Sequence, residues 1–505
     1  MNSLNQLKYS ALISYGAIIF SILAGLFYTP WMISQIGRDD FGLYTLVTAF
    51  ISYFMVDFGL GSVISTYVAK CRASCDEVRL RKVVGICYKA YFIITSLIGI
   101  ILFVIYFFID DIFVSLTPEQ CARFKVIYCI AGFFSVASFP LMPLNGIIIA
   151  YERLVVLKML DLVQKVLCVV LIVICLLNDW GLYSLVAVNS SVVFLSGLFK
   201  LFYVHARIDL TFELRQRLDM RLLRELMSFS TWAFILGIVQ RFTIGGAPAI
   251  LGAKSGASAI AVFSIAMTLE GYVWMFSAAV NGLFIPKVAK YVEAQLTPLQ
   301  MTDKMIQVGR FQLMATGTLI GGIICLGNAF INLWVGPDFS QSFIIAILII
   351  SPQLILVTQI IGTTALWVTN RVKYQCLIYI VGTAISLIIS FVLSNYLGAL
   401  GCGIGVFIGL ITICFALNVI FYQKLKFNIG RFFAKCHLRL MPVLALPILV
   451  MIILQHKVII SNWYMLLGMG LLYLVMQLVL LFLCLNRYEK SIIIPNYLIS
   501  NGKRN

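Results

Sequence analysis

The sequence predicts an all-α integral membrane protein of about fourteen transmembrane helices, built as two six-helix lobes with two further helices appended. Three observations predict it: an apolar composition that no soluble core can hide, fourteen apolar stretches of crossing length, and basic residues concentrated in alternate connectors. Of 505 residues, 62% are hydrophobic and 11% charged, against about 45–50% and about 25% in soluble domains. The mean hydropathy is +1.02. A crossing helix needs about 20 mostly apolar residues, so fourteen consume roughly 290. Little is left beyond connectors, and no soluble domain large enough for chemistry is expected.

The stretches run near 10–33, 41–67, 84–108, 124–148, 159–177, 183–204, 227–250, 258–285, 309–333, 342–368, 375–395, 401–422, 441–458 and 463–485. The first extends from Ser10 to Trp31 and ends in Gln35-Ile36-Gly37-Arg38. It is too long for a signal-peptide core and lacks a small-residue cleavage site, so it is expected to stay as the first helix. The weakest patterns are the fifth stretch, which contains Asp161 and Lys165, and the thirteenth, which contains Pro442 and Pro447.

The connectors alternate in charge. Those after even-numbered stretches, together with Lys8 and the tail, hold 28 of the 37 Lys and Arg residues. The opposite connectors hold five: Arg38, Arg123, Lys125, Lys254 and Lys457. Over short loops this asymmetry puts the basic side, and both termini, in the cytoplasm. It also explains the net charge of +17, with anionic lipid headgroups as the partners and no nucleic acid required.

The chain repeats itself at an offset of 218 to 220 residues. Val68-Ala69-Lys70 recurs as Val288-Ala289-Lys290, Arg153 as Arg371, and Phe202-Tyr203 as Phe421-Tyr422. Six helices per repeat is an even number, so both units enter the membrane in the same sense, related by a pseudo-two-fold axis along the membrane normal. The expected division is an N-lobe at 1–205, a basic cytoplasmic linker at 206–226, a C-lobe at 227–425, and the last two helices with a cytoplasmic tail at 426–505. Two such lobes suit alternating access.

Several chemistries are excluded. Most of the 13 cysteines stand singly in apolar runs and read as small buried hydrophobes rather than a disulfide framework. Cys71 and Cys75 have no third ligand nearby, and His205, His437 and His456 are scattered, so neither a metal site nor a cofactor is expected. No G-x-x-x-x-G-K-[ST] sequence occurs, so ATP is not the direct driver.

The first two stretches carry Phe27-Tyr28-Thr29-Pro30, then Gly37 with Phe41-Gly42-Leu43-Tyr44, then Asp57-Phe58-Gly59-Leu60. A fainter echo follows in Leu251-Gly252 and Ala261-Val262-Phe263-Ser264-Ile265-Ala266. With these motifs the chain resembles the polysaccharide repeat-unit (O-antigen type) flippases of the multidrug/oligosaccharidyl-lipid/polysaccharide exporter superfamily. The resemblance implies a fourteen-helix fold with a cavity lined by helices 1, 2, 7 and 8. It implies translocation of undecaprenyl-diphosphate-linked oligosaccharide to the outer leaflet of a bacterial cytoplasmic membrane. The partners implied are that lipid-linked oligosaccharide and polysaccharide polymerase machinery. Relatives often carry an acidic residue in helix 7 after a polar one; here Gln240 is followed by Arg241-Phe242-Thr243, which puts coupling through a helix 7 carboxylate in doubt.

Charges inside the bilayer cost roughly 2.5–3.5 kcal/mol each on the insertion scale, so each needs a reason. Counted along their helices, Asp57, Arg241 and Glu270 lie about 15, 18 and 22 Å from the cytoplasmic ends, one layer near the midplane. Arg241 and Glu270 form either a structural ion pair or a working set in which Arg241 meets the diphosphate and Glu270 or Asp57 takes a coupling cation. Asp57, beside Gly59 and Gly61, also reads as the cap of a helix break. Lys89, Lys165 and Lys200 either snorkel or form a basic vestibule for the lipid diphosphate. Asp161 and Lys165, at i and i+4, suit a local pair. Gly401, Gly405 and Gly409 suit close helix packing.

The rival classes are a cation-coupled multidrug antiporter, which shares the superfamily fold, and a membrane-embedded glycan polymerase or ligase. The enzyme reading needs an accessible catalytic loop, and the outer connectors reach only about 15 residues. The expectation is therefore a transporter and not an enzyme.

Overall fold

The computed structural model describes residues 3–55, 60–74, 76–208, 220–281, 288, 290–291, 294–486 and 489–490. The protein is all-helical among these residues, and 13 helices are long and apolar enough to cross a membrane. We number the helices by crossing. They are α1 (Ser3–Ile36), α2 (Arg38–Phe54 and Leu60–Ala73), α3 (Glu77–Phe107), α4 (Pro118–Ala150), α5 (Leu154–Leu177), α6 (Gly181–Ile208) and α7 (Met220–Lys254). Then come α8 (Ala257–Asn281), α9 (Pro298–Trp334), α10 (Gln341–Val368), α11 (Val372–Leu397), α12 (Ala399–Leu425), α13 (Ile429–Gln455) and α14 (Trp463–Cys484).

The expected crossing at 41–67 is the one that no single helix supplies: its two halves are 17 and 14 residues long. Asp57, placed at this break by the sequence, lies outside the described residues. Several helices run past their apolar stretches because polar side chains cap them. Thr117 and Thr297 each form a capping box with a glutamine three residues on, followed by proline in the first turn. That geometry satisfies two otherwise unpaired backbone N–H groups. It starts α9 at Pro298, eleven residues before its apolar stretch.

Two further crossings are interrupted. α4 breaks at the 3-10 turn Phe139–Leu141, followed by Pro143. α10 passes through Pro352 into a single turn, Gln353–Leu356, and a 3-10 turn, Val357–Gln359. Proline removes an N–H donor and clashes with the preceding turn. As the fourth helix of each six-helix repeat, these two breaks occupy corresponding positions.

The chain divides into two compact units, Met1–Leu269 with Arg371–Ile413, and Glu270–Asn370 with Cys414–Asn505. In the first, the second halves of α2 and α4 meet where a Cβ on Gly146 would come within 3.2 Å of the Gly61 carbonyl carbon. Tyr53 donates to the Gly245 carbonyl and stacks on Phe242 at 4.5 Å, joining α2 to α7. α12 lies against α11 through its small residues: a Cβ on Gly405 would lie 2.5 Å from the Ser390 amide, and one on Gly409 2.5 Å from the Ser386 Cβ. Gly405 and Gly409 thus permit a backbone approach that no larger residue allows.

In the second unit α9 is the hub. A Cβ on Gly309 would lie 2.9 Å from the Thr358 carbonyl oxygen in α10, and one on Gly317 2.8 Å from Leu444 in α13. Arg310, on the same turn as Gly309, is 2% exposed. Its Nε and Nη2 donate to the Glu489 carboxylate at 2.5 and 3.0 Å, and its remaining bonds reach the Lys435 and Cys484 carbonyls. Nearby Arg431 pairs with Asp303 at 2.7 Å.

These contacts agree with a chain that alternates sides. Arg72, at the end of α2, donates to the Ala150 carbonyl at the end of α4, whereas Arg123, at the start of α4, pairs with Asp40 at the start of α2 at 3.0 Å. Two of the five basic residues on the sparse side are thereby matched with acids, since Arg123 also holds Glu119 and Lys125 holds Asp110.

Candidate substrate-binding site

α5 is among the most apolar crossings of the first unit, yet it carries a polar stripe. Lys158, Asp161, Gln164, Lys165 and Cys168 recur at helical spacing along the side opposite exposed Val163, Val166, Val170 and Ile174. The expected Asp161–Lys165 pair does not form. Asp161 instead takes Lys200 of α6 at 3.0 Å and Lys158 at 4.0 Å. Lys200, whose side chain is 10% exposed, is held inside the helix packing rather than snorkelling. A carboxylate one helix away satisfies it better than water at a distant surface.

Lys165 is released by this exchange. Its ammonium donates to Ser21 Oγ of α1 at 2.9 Å, and the Ser21 hydroxyl in turn donates to the Ala17 carbonyl. Both residues line a cavity of about 290 Å³ between α1, α5 and α6, with Tyr28, Gln164, Cys168 and Asn189 as its other polar walls. Among the described residues the buried Tyr28 hydroxyl has no hydrogen-bond partner. A cation and two amides thus stand in the wall of one otherwise largely apolar void, a setting in which an anion would find its donors.

Lys89 is half-buried on α3. Arg241 lies exposed on α7 beside Gln240. Its neighbours are committed to packing, Phe242 against Tyr53 and Thr243 in a 2.7 Å hydrogen bond with Thr383 of α11. Among the described residues Arg241 has no ion-pair partner, which leaves its five donors available.

Glu270 belongs to the second unit. It accepts from Gln353 Nε2 at 3.1 Å. Arg241, its partner as expected from the sequence, belongs to the first unit. Gln353 sits on the interrupted turn of α10, is 5% exposed, and among the described residues its Oε1 has no partner. A carboxylate and a buried carbonyl oxygen side by side favour a bound cation or proton. Close by in sequence, Gln359 donates to Asn418 at 2.7 Å, and Gln312 of α9 donates to the Ser277 carbonyl and to Asn281. Among the described residues no group of three or more His, Cys, Asp or Glu could hold a metal ion.

Sequence reasoning missed Ser21, Tyr28, Gln164, Asn189 and Gln353. The available signals were polar residues inside apolar stretches and, for Gln353, the preceding Pro352.

The fold is one shared with solved membrane proteins. It is similar to that of "Lipid II flippase MurJ, inward closed conformation" (TM-score 0.66, 13% identity), over 96% of this chain and 100% of that one. It is also similar to an inward-facing multidrug resistance MATE family transporter of the MOP superfamily (TM-score 0.61, 13% identity), over 86% and 99%. Residues 8–292 match the polysaccharide biosynthesis protein family, and the chain belongs to it. The chain is 22% identical over 335 residues to the uncharacterized membrane protein EpsK of Bacillus subtilis (strain 168), a match that spans 64% of each protein.

Proposed function

We propose that the protein is a flippase that carries undecaprenyl-diphosphate-linked oligosaccharide repeat units from the cytoplasmic to the outer leaflet by alternating access, for surface polysaccharide synthesis. Both termini lie in the cytoplasm of a bacterial inner membrane, and the cargo leaves with its bonds unchanged. The observation that carries this reading is Lys165, a cation on the polar stripe of a mostly apolar helix, hydrogen-bonded to Ser21 at the edge of a cavity that Gln164 and Asn189 also line. A diphosphate headgroup on a lipid is the anion that must pass at this level. Lys89 and Arg241 extend the basic surface, Arg241 as a bidentate phosphate ligand, while Lys200 is the partner that keeps Asp161 from quenching Lys165. Glu270 with Gln353, and Asp57, supply the acidic groups that a coupling cation would neutralise.

The likeness to MATE transporters keeps a multidrug antiporter as the second reading. The family match and the fuller coverage of the lipid II flippase favour the glycan cargo. Deleting the gene tests this. The flippase reading expects lipid-linked repeat units to accumulate inside and surface polysaccharide to vanish, with drug sensitivity unchanged. Intact surface glycan with raised drug sensitivity would refute it.

A further inference from the structure

Next to the Lys165 cavity lies a second void of about 230 Å³, and the two share Asn189 and Val193 in their walls. Its chemistry is different. No charged residue lines it; the hydroxyl residues Tyr44, Ser135, Ser138 and Ser190 and the Asn189 amide share its walls with aliphatic side chains and the ring of Phe134. Ser138 stands at the end of α4's first segment, where the proline break begins. Its hydroxyl is buried and has no hydrogen-bond partner among the described residues, at 8% residue exposure. Asn189 bridges the two cavities, donating to the Tyr44 hydroxyl at 3.4 Å and accepting from Cys168 Sγ at 3.4 Å. A buried unpaired hydroxyl is costly in proportion to the desolvation it suffers, and Ser138 is one of the residues in the wall of this void.

We propose that this second void is a subsite for one neutral sugar ring, the residue attached directly to the diphosphate that Lys165 meets. The proposal rests on the flippase reading and adds the part of the cargo that the pocket distinguishes. Hydroxyls and one amide match the hydroxyl and acetamido groups of a pyranose. Tyr44 and Phe134 offer rings for its C–H faces. The volume lies below the about 300–1,000 Å³ of drug-sized sites and is on the scale of a single ring. The junction at Asn189 places sugar and phosphate chemistry side by side in the order in which the cargo carries them.

Equilibrium binding to the purified full chain in lipid nanodiscs tests the assignment. The probes are farnesyl diphosphate and the same lipid bearing one N-acetylglucosamine. Ser138→Ala and Ser190→Ala should each weaken binding of the glycosylated lipid about 5- to 10-fold, the worth of one neutral hydrogen bond, and leave the bare lipid unchanged. Lys165→Met should weaken both. Serine variants that bind both probes as the wild type does, or that weaken both equally, overturn the sugar subsite; if Lys165 dependence persists, the flippase reading stands without it. Failure of the wild type to bind either probe removes both.

Discussion

Removing the carboxylate of Glu489 gives the sharpest test of the packing. Arg310 and Glu489 each have a side chain only 2% exposed, so neither can turn to water when its partner is lost. Two of the guanidinium's bonds go to Glu489, at 2.5 and 3.0 Å, and the two to backbone carbonyls are longer, at 3.3 and 3.4 Å. Breaking a buried pair by removing one partner costs about 3–5 kcal/mol, which is roughly 100- to 4,000-fold in a local equilibrium at about 1.4 kcal/mol per decade. The strain falls where Arg310 ties α9 to the end of α14, next to Cys484. In a background with the other cysteines replaced, Glu489→Ala should speed maleimide labelling of Cys484 by about two orders of magnitude or cause loss of folded protein. Arg310→Met combined with Glu489→Leu should recover slow labelling, because apolar replacement of both partners is often neutral or stabilising. Wild-type labelling and yield in Glu489→Ala would refute the reasoning.

Other outcomes follow from the same structure. Glu270→Gln should abolish any dependence of transport on a cation gradient while leaving yield intact, measured by flipping with and without the gradient; unchanged coupling would exclude Glu270. Gly405→Val should eliminate folded protein, since a Cβ there would sit 2.5 Å from the Ser390 amide, and membrane yield reads it directly. Single cysteines near Pro118, Asp179 and Asp338 should react with an impermeant thiol reagent from outside intact cells, and those near Glu77, Pro298 and Arg431 should not; the reverse pattern would invert the topology.

How much of this could be read from the sequence depends on the range of the forces involved. Crossing helices follow from local hydropathy, and thirteen of them stand where the apolar stretches put them. Helix ends were misjudged where a local cap outruns hydropathy, as Thr297 does for α9. The breaks in α4 and α10 escaped because Pro140, Pro143 and Pro352 sit in stretches apolar enough to read as continuous. The candidate site was half visible. Lys165 and Lys200 announce themselves as charges in apolar helices, but the partner of Asp161 is 39 residues distant and Lys165 turns to Ser21, 144 residues away. Nothing local to α5 favours Lys200 over Lys165 as the acid's partner. That choice is made by how α5 and α6 pack.

The central claim is that Lys165 meets the diphosphate of a lipid-linked glycan during its passage across the bilayer. The measurement is leaflet exchange of a short-chain polyprenyl-diphosphate oligosaccharide in proteoliposomes containing the purified full chain, followed by cleavage with an impermeant glycosidase. The account predicts that wild-type protein exposes the internal pool, and that Lys165→Met slows this at least about tenfold, as losing a charge-assisted hydrogen bond should, with the same amount of folded protein in the membrane. Exchange by Lys165→Met at the wild-type rate, or no exchange by the wild type, would contradict it.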